Sequence, residues 1–257
     1  MTEDDIKNAT AYLRANRELW AVLGIEDGSA LEAVPLAQGE HNANYWFAHP
    51  VTGVRYVLRF NYISQLELEN QSTYEFEVLQ ALEGSGRAPK ALYVDDSKTL
   101  VPRGVLVMEL VSGRMLDFER PEELAEAARM LADVHSVVPA DDCPLLQPGD
   151  ALADLVAECE KMFAIYRGSD LEDPVVTEYV ERFFARARQC LAVEPRPEEC
   201  RHIISCEMVS AHFLMNEDGA PGHIVDWEKA ILGGDSRCRL LLSAYHHDLG
   251  YGVHLYA

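Results

Sequence analysis

Lysine is scarce in this chain: of 22 basic residues only Lys7, Lys90, Lys98, Lys161 and Lys229 are lysine. Against them stand 43 acidic residues, and the formal net charge is −21. A charge of that sign repels phosphate backbones, which excludes nucleic acid as a partner. Two readings of the acidity stand. Either the source is salt-rich and a carboxylate surface keeps the protein hydrated, or this is an ordinary acidic surface that confers solubility. Long apolar runs are also missing: no stretch of about 18 residues is apolar enough to span a membrane, and mean hydropathy is −0.12. The start, Met1-Thr2-Glu3-Asp4-Asp5, is acidic and lacks the basic and then apolar segments of an export signal. The cysteines, Cys143, Cys159, Cys190, Cys200, Cys206 and Cys238, form no Cys-x-x-Cys pair and fit no zinc spacing. Reduced thiols in a cytoplasmic protein are expected. Internal repeats and low-complexity segments are absent too.

What is present is 257 residues with 48% hydrophobic content, enough for two lobes around sizeable cores. Residues 3–23 read as a helix, with Thr2 as cap, acids in the first turn and Gly24 beyond the end. Residues 34–60 change period and predict a strand, a Gly-Glu-His-Asn turn and two further strands. A helix is predicted over 64–84, with Leu66, Leu68, Tyr74, Phe76, Val78, Leu79 and Leu82 on its apolar side. Strands follow near 91–95 and 104–110, the second a nearly continuous apolar run suited to burial on both faces. Val111-Ser112-Gly113 breaks the pattern, and the lobe boundary is placed there. Pro121 opens a helix that puts Leu124, Ala127, Ala128, Leu131, Ala132 and His135 on one side. Two more helices are predicted over 151–166 and 173–193. Three short β pieces then follow, His202–Ser205, His212–Asn216 and Gly222–Trp227, the last two joined by a turn at 217–222.

This order matches what phosphoryl transfer needs: a loop over phosphates, a cation, an acid that holds it, a base and metal ligands. The segments LAQGEHNANYWF, RYVLRF, QSTYEFEVLQALEGSGRAPK, GVLVMELVSGRML, AARMLADVHSV and HFLMNEDGAPGHIVDWEKAILG occur in that order. In this series the chain resembles the aminoglycoside phosphotransferase and choline kinase family. The resemblance implies an α+β, protein-kinase-like, two-lobed fold. Its small β-rich N-lobe would be residues 1–111. A mostly helical and incomplete C-lobe would be 112–257, with a catalytic β-hairpin near 203–227. It implies ATP and Mg²⁺ as cofactors, and a nucleotide and a small hydroxyl-bearing molecule as partners.

Roles follow from the resemblance. Arg59 stands where the family has its phosphate-binding lysine, and the planar guanidinium also suits phosphate; a surface strand residue is the alternative. Glu75 would be its acid partner, or else a solvated helix residue. Gly39, His41 and Asn42 would approach the phosphates through backbone amides, or form a plain turn. Glu109 and Val111 would flank Leu110 in a hinge that pairs with adenine. Asp226 would hold Mg²⁺. His135 is expected to be structural.

The catalytic loop departs from the family pattern. Ser205, Glu207 and His212 stand where the family has His, Asp and a metal-binding Asn. Glu207 is the candidate base and His212 a candidate metal ligand, although Mg²⁺ prefers oxygen. A working variant and a degenerate site are both open, so the expected function is a small-molecule kinase, with an inactive nucleotide-binding module or a non-functional remnant as alternatives. After Gly234 the resemblance stops. Reading the tail's codons one base later, with C at degenerate third positions, turns Ser236 into Pro and Tyr245–Asp248 into a run of Thr. That predicts a frame slip near Gly234; a genuine divergent tail is the alternative, and the gene sequence decides.

Overall fold

Thr2 opens the first helix as the sequence predicts. Its hydroxyl accepts from the Asp5 amide while the Asp5 carboxylate accepts from the Thr2 amide, so two donors without helical partners are satisfied reciprocally. The computed structural model describes residues 2–64, 66–147, 151–192, 202–205, 208–216 and 221–233. The expected single helix over 3–23 is two, α1 (Glu3–Ala15) and α2 (Arg17–Leu23). Asn16 makes the break. Its side-chain oxygen caps α2 by accepting from the Leu19 amide at 2.9 Å, and its amide donates to the Tyr12 hydroxyl at 2.7 Å. Asn16 keeps its own backbone bonds to Tyr12 and Trp20, so the break lies in its extended backbone (φ −86°, ψ 92°), which these side-chain bonds support. Gly24, at φ 71°, ends α2 in the left-handed conformation.

Five strands follow the sequence reading closely: β1 (Val34–Gln38), β2 (Asn42–Ala48), β3 (Arg55–Asn61), β4 (Ala91–Asp95) and β5 (Gly104–Glu109). They form an antiparallel sheet in the order β1-β2-β3-β5-β4. Ala43, Tyr45 and Phe47 on β2, with Val105 and Val107 on β5, pack against Ala9, Tyr12 and Leu13 of α1. Five successive residues of β5 are buried, as its apolar run predicts. Helix α3 (Gln71–Leu82) packs on β4 and β5. It starts seven residues later than expected over 64–84, because Ser64 accepts from the Leu68 amide and donates to Gln71, and Glu67 lies at φ 56°. Tyr74, Val78, Leu79 and Leu82 form the buried side; Leu66 and Leu68 lie in the turns before it.

The described residues of Met1–Leu145 and Ser205–Ala230 form one compact unit, and those of Leu146–Ile204 and Ile231–Ala257 another. The first unit also holds β6 (Arg114–Met115), α4 (Pro121–His135), β8 (Phe213–Met215) and β9 (His223–Ile224), the strands pairing antiparallel as β6-β8-β9. Arg87 ties this part together, donating to Asp133 and Glu126 of α4 and to the Gly222 carbonyl. The buried face of α4 differs from the expected one. It is Glu123, Ala127, Met130 and Val134, whereas Leu124 is 39% exposed and Ala128 and Ala132 face outward. Two features set this face. Glu123 is drawn inward by Arg114, Arg120 and the Asp117 amide. Met130 packs where a Cβ on Gly222 would fall 2.9 Å from its sulfur. In the second unit α5 (Ala151–Arg167) packs on α6 (Pro174–Leu191), with the Phe163 and Phe184 rings 5.5 Å apart, and β7 (His202–Ser205) pairs with β10 (Ala230–Gly233). No helix among the described residues is long and apolar enough to cross a membrane. The tail 235–257, where a frame slip is expected, lies outside the described residues.

Candidate functional site

Strand register places the first functional side chain. Arg59 of β3 sits opposite Asn44 of β2, so its Nε donates to Asn44 Oδ1 at 2.9 Å. Its Nη1 donates to Glu75 Oε1 of α3 at 2.6 Å and to Asp226 Oδ1 at 3.0 Å. Arg59 is 7% exposed and Glu75 3%, so neither is the solvated surface residue that was its alternative. Burial works against the guanidinium's charge, but Glu75, Asp226 and Glu228 outweigh it and hold Arg59 protonated well above arginine's ordinary range. One cation thus faces three carboxylates, and they do not all ionise with equal ease. Burial pushes the Glu75 carboxyl up to about 7, with Arg59 pulling it down and Asp226 and Glu228 adding repulsion.

Asp226 lies at φ 69°, a conformation that side-chain-bearing residues adopt only when their surroundings hold them there. Its Oδ2 is 3.3 Å from His212 Nε2. Burial opposes the Asp226 charge, but Arg59 and then His212 outweigh it and hold the carboxyl below its ordinary value. The turn after Asp226 is anchored from two sides. Asn42 Nδ2 donates to Glu228 Oε2 at 2.5 Å, Gln71 Nε2 to the Glu228 carbonyl at 2.9 Å, and the Tyr74 hydroxyl to the Ala230 carbonyl at 2.5 Å. Between them Trp227 is 1% exposed, its Nε1 donating to the Ile224 carbonyl. Burial, and next the charge of Asp226, push the Glu228 carboxyl up.

Of the residues expected from sequence, the fold brings Arg59, Glu75, Asp226 and His212 together, with Asn42 joined to them through Glu228. Asn42 takes part through its side chain, which also accepts from Asn61 Nδ2 at 3.1 Å. The amide of Gly39 closes the β1–β2 turn on the Asn42 carbonyl at 3.0 Å, and the His41 carbonyl accepts from Tyr62. His41 Nδ1 is buried with no hydrogen-bond partner among the described residues. Glu109 ends β5, is exposed, and gives its amide to the Lys90 carbonyl; Val111 follows it, half-buried. Ser205 ends β7 and is 2% exposed. Glu207, the candidate base, lies outside the described residues. Among the described residues no three His, Cys, Asp or Glu side chains converge on one metal position.

Sequence reasoning missed Asn44, Gln71, Tyr74 and Glu228. The signal for Asn44 is register, which needs the strand pairing. For Glu228 it is the acid two places after Asp226, which reads on its own as a surface residue.

The model of the phosphotransferase enzyme family matches residues 32–233, so the match ends where the tail stops resembling that family. Among solved structures, a Plasmodium vivax ethanolamine kinase has a TM-score of 0.65 at 12% identity, covering 91% of this chain and 65% of its own. A choline kinase from Cryptosporidium parvum has a TM-score of 0.60 at 13% identity, covering 91% of this chain and 66% of its own. An aminoglycoside phosphotransferase from Streptomyces rimosus, in complex with ADP and streptomycin, has a TM-score of 0.51 at 12% identity, covering 93% and 85%. The fold is therefore protein-kinase-like, and the chain spans just under two thirds of the length of the first two kinases. No curated protein sequence matches the chain.

Proposed function

Because the chain belongs to the phosphotransferase enzyme family, we propose that it transfers the γ-phosphoryl group of ATP to a hydroxyl of a small molecule. The observation that carries this reading is the buried Arg59 bridging Glu75 and Asp226. A guanidinium fixed at one end by a helix carboxylate and Asn44 is preorganised for phosphate, which favours charge developing in the transition state. His41 fits the same ligand, since its buried Nδ1 has no hydrogen-bond partner among the described residues. The nucleotide lobe would be residues 1–111, with Gly39, His41 and Asn42 over the phosphates and Glu109 and Val111 beside the base. Residues 112–257 would carry the acceptor. ATP as donor accords with the cytoplasmic setting expected from the sequence.

The residues present fit a magnesium ion through Asp226, whose carboxyl is held ionised, with His212 as a neighbouring nitrogen donor. Asp226 and His212 would hold the ion from the protein side, and fewer than three protein side chains among the described residues accords with an ion that usually keeps several waters. When bound, it neutralises charge on the β- and γ-phosphates. The Glu207 carboxylate takes the acceptor's proton as the acceptor oxygen bonds to the γ-phosphorus and the bond to ADP breaks. The test is ATP turnover over a panel of hydroxyl-bearing substrates, cationic ones included because the chain is acidic. Asp226→Ala is expected to reduce kcat by about 10²-fold or more. Equal turnover by wild type and variant sinks the assignment.

A further inference from the structure

Asn42 occupies two positions at once. Its carbonyl accepts the Gly39 amide that closes the β1–β2 turn, and its side chain reaches Glu228, 186 residues away in sequence. Asn42 is 5% exposed, Glu228 7% and Gln71 3%, so the contact is formed out of water. A carboxylate placed there is costly unless its partners are fixed, and these partners are fixed. Asn61 holds the Asn42 oxygen, which orients the Asn42 amide toward Glu228, while Gln71 and Tyr74 hold the backbone of the same turn. Two residues before Glu228 stands Asp226, in a backbone conformation that its neighbours must maintain. One side-chain bond therefore links the turn placed over the phosphates to the turn that presents the metal-binding carboxylate.

We propose that Glu228 is a positioning residue, and that its bond from Asn42 couples the phosphate turn to Asp226 so that nucleotide and metal ion bind cooperatively. The inference rests on the phosphotransferase reading, since it assigns nucleotide to one end of the link and metal to the other. Coupling of this kind is reciprocal, and factors of about 5 to 150 are typical between linked sites. With the link intact, Mg²⁺ tightens ADP; without it, each ligand binds a turn that the other no longer orders. The role is carried by hydrogen-bond acceptance and does not need the charge. Glu228→Gln keeps an oxygen for the Asn42 amide, whereas Glu228→Ala and Asn42→Ala remove the bond.

The experiment measures Kd for ADP by calorimetry with excess Mg²⁺ and with EDTA, for wild type, Glu228→Gln, Glu228→Ala, Asn42→Ala and the double alanine variant. Circular dichroism checks that each is folded, and Glu228→Gln keeps the test decisive if an alanine variant is not. The quantity read is the ratio of the two Kd values. It is expected to be near wild type in Glu228→Gln and about tenfold smaller in Glu228→Ala and Asn42→Ala. The double variant is expected to be no worse than either single one, as for two ends of one contact. A ratio as low in Glu228→Gln as in Glu228→Ala makes the carboxylate charge the active feature and overturns the proposal. So does an unchanged ratio in the alanine variants, while nucleotide binding by wild type leaves the phosphotransferase reading standing. Absence of ADP binding by wild type defeats both.

Discussion

On the proposed role of Asp226 as a metal ligand, what stands beside it decides which ion it accepts. Its Oδ2 faces an imidazole nitrogen, His212 Nε2, at 3.3 Å. Nitrogen donors favour later divalent ions, whereas Mg²⁺ selects oxygen. Wild type is therefore expected to bind Mn²⁺–ADP more tightly than Mg²⁺–ADP, and His212→Asn to narrow that preference by about tenfold. Calorimetry measures it, and pulsed electron paramagnetic resonance of bound Mn²⁺ detects the nitrogen directly; no nitrogen coupling in wild type refutes ligation by His212. A second expectation concerns Glu75. Its folded pKa, about 7, lies above the ordinary carboxylate value of 4.5. Between those values the folded state holds a proton that the unfolded state releases, so this group's contribution to stability is full below about pH 4.5 and is lost as pH rises through 7. Asp226 shifts the opposite way, and its contribution is lost as pH falls below about 4, outside that window. Unfolding free energy is expected to fall by on the order of 1–3 kcal/mol from pH 5 to 7.5, and Glu75→Gln should flatten that slope in denaturant titrations. Arg59, Glu75 and Asp226 are named in the sequence through the family resemblance, each by its place in an ordered series of motifs, and the fold brings the three side chains together. Glu228 is not legible there, because its partner is 186 residues distant and only the folded chain brings them together.

At the scale of elements, the sheet was read almost to the residue and the helices less well. Strand signals are punctuated by turns, and β2, β3 and β5 carry alternating or continuous apolar runs. The helix errors share a physical cause: polar side chains outbid the apolar pattern. Ser64 delays α3, Glu123 rotates the buried face of α4, and Asn16 divides the first helix in two. A hydrophobic pattern does not register a buried asparagine that caps one helix and bonds the tyrosine of another. Asn16 is 3% exposed, and its loss would free the Leu19 amide and leave the Tyr12 hydroxyl only its bond to Asp95. Asn16→Ala is expected to lower stability by about 1–2 kcal/mol, the usual cost of a lost cap. Asn16→Asp retains the oxygen that accepts from Leu19 and should recover part of that loss. Thermal unfolding of the three proteins measures it; an alanine variant as stable as wild type means the break in the helix is not set by Asn16.

For the whole molecule, the family is legible because it resides in the order of elements, and that order survives changes at single positions such as Arg59 and His212. Net charge acts differently: it belongs to no element and opposes compaction everywhere. With 43 acidic against 22 basic residues, many carboxylates have no basic counterpart. The sharing runs both ways: Arg87 lies between two acids, Glu126 and Asp133, while Glu123 gathers two bases, Arg114 and Arg120. Added salt weakens those attractive pairs and the long-range repulsion alike, but exposed pairs contribute little to begin with. The repulsion sums over the entire acidic excess and is screened once the Debye length falls to about 8 Å near physiological ionic strength. Screening therefore stabilises the folded state. The midpoint of thermal unfolding is expected to rise by several degrees between about 10 mM and 0.5 M NaCl, and most of the rise should come below about 0.15 M if general screening is the cause. A rise that continues in proportion to salt into the molar range would instead identify a surface built for hydration in brine. A midpoint that falls with salt would mean that the solvent-exposed ion pairs, such as Arg167 with Glu181 and Lys90 with Glu83, outweigh the repulsion of the acidic excess.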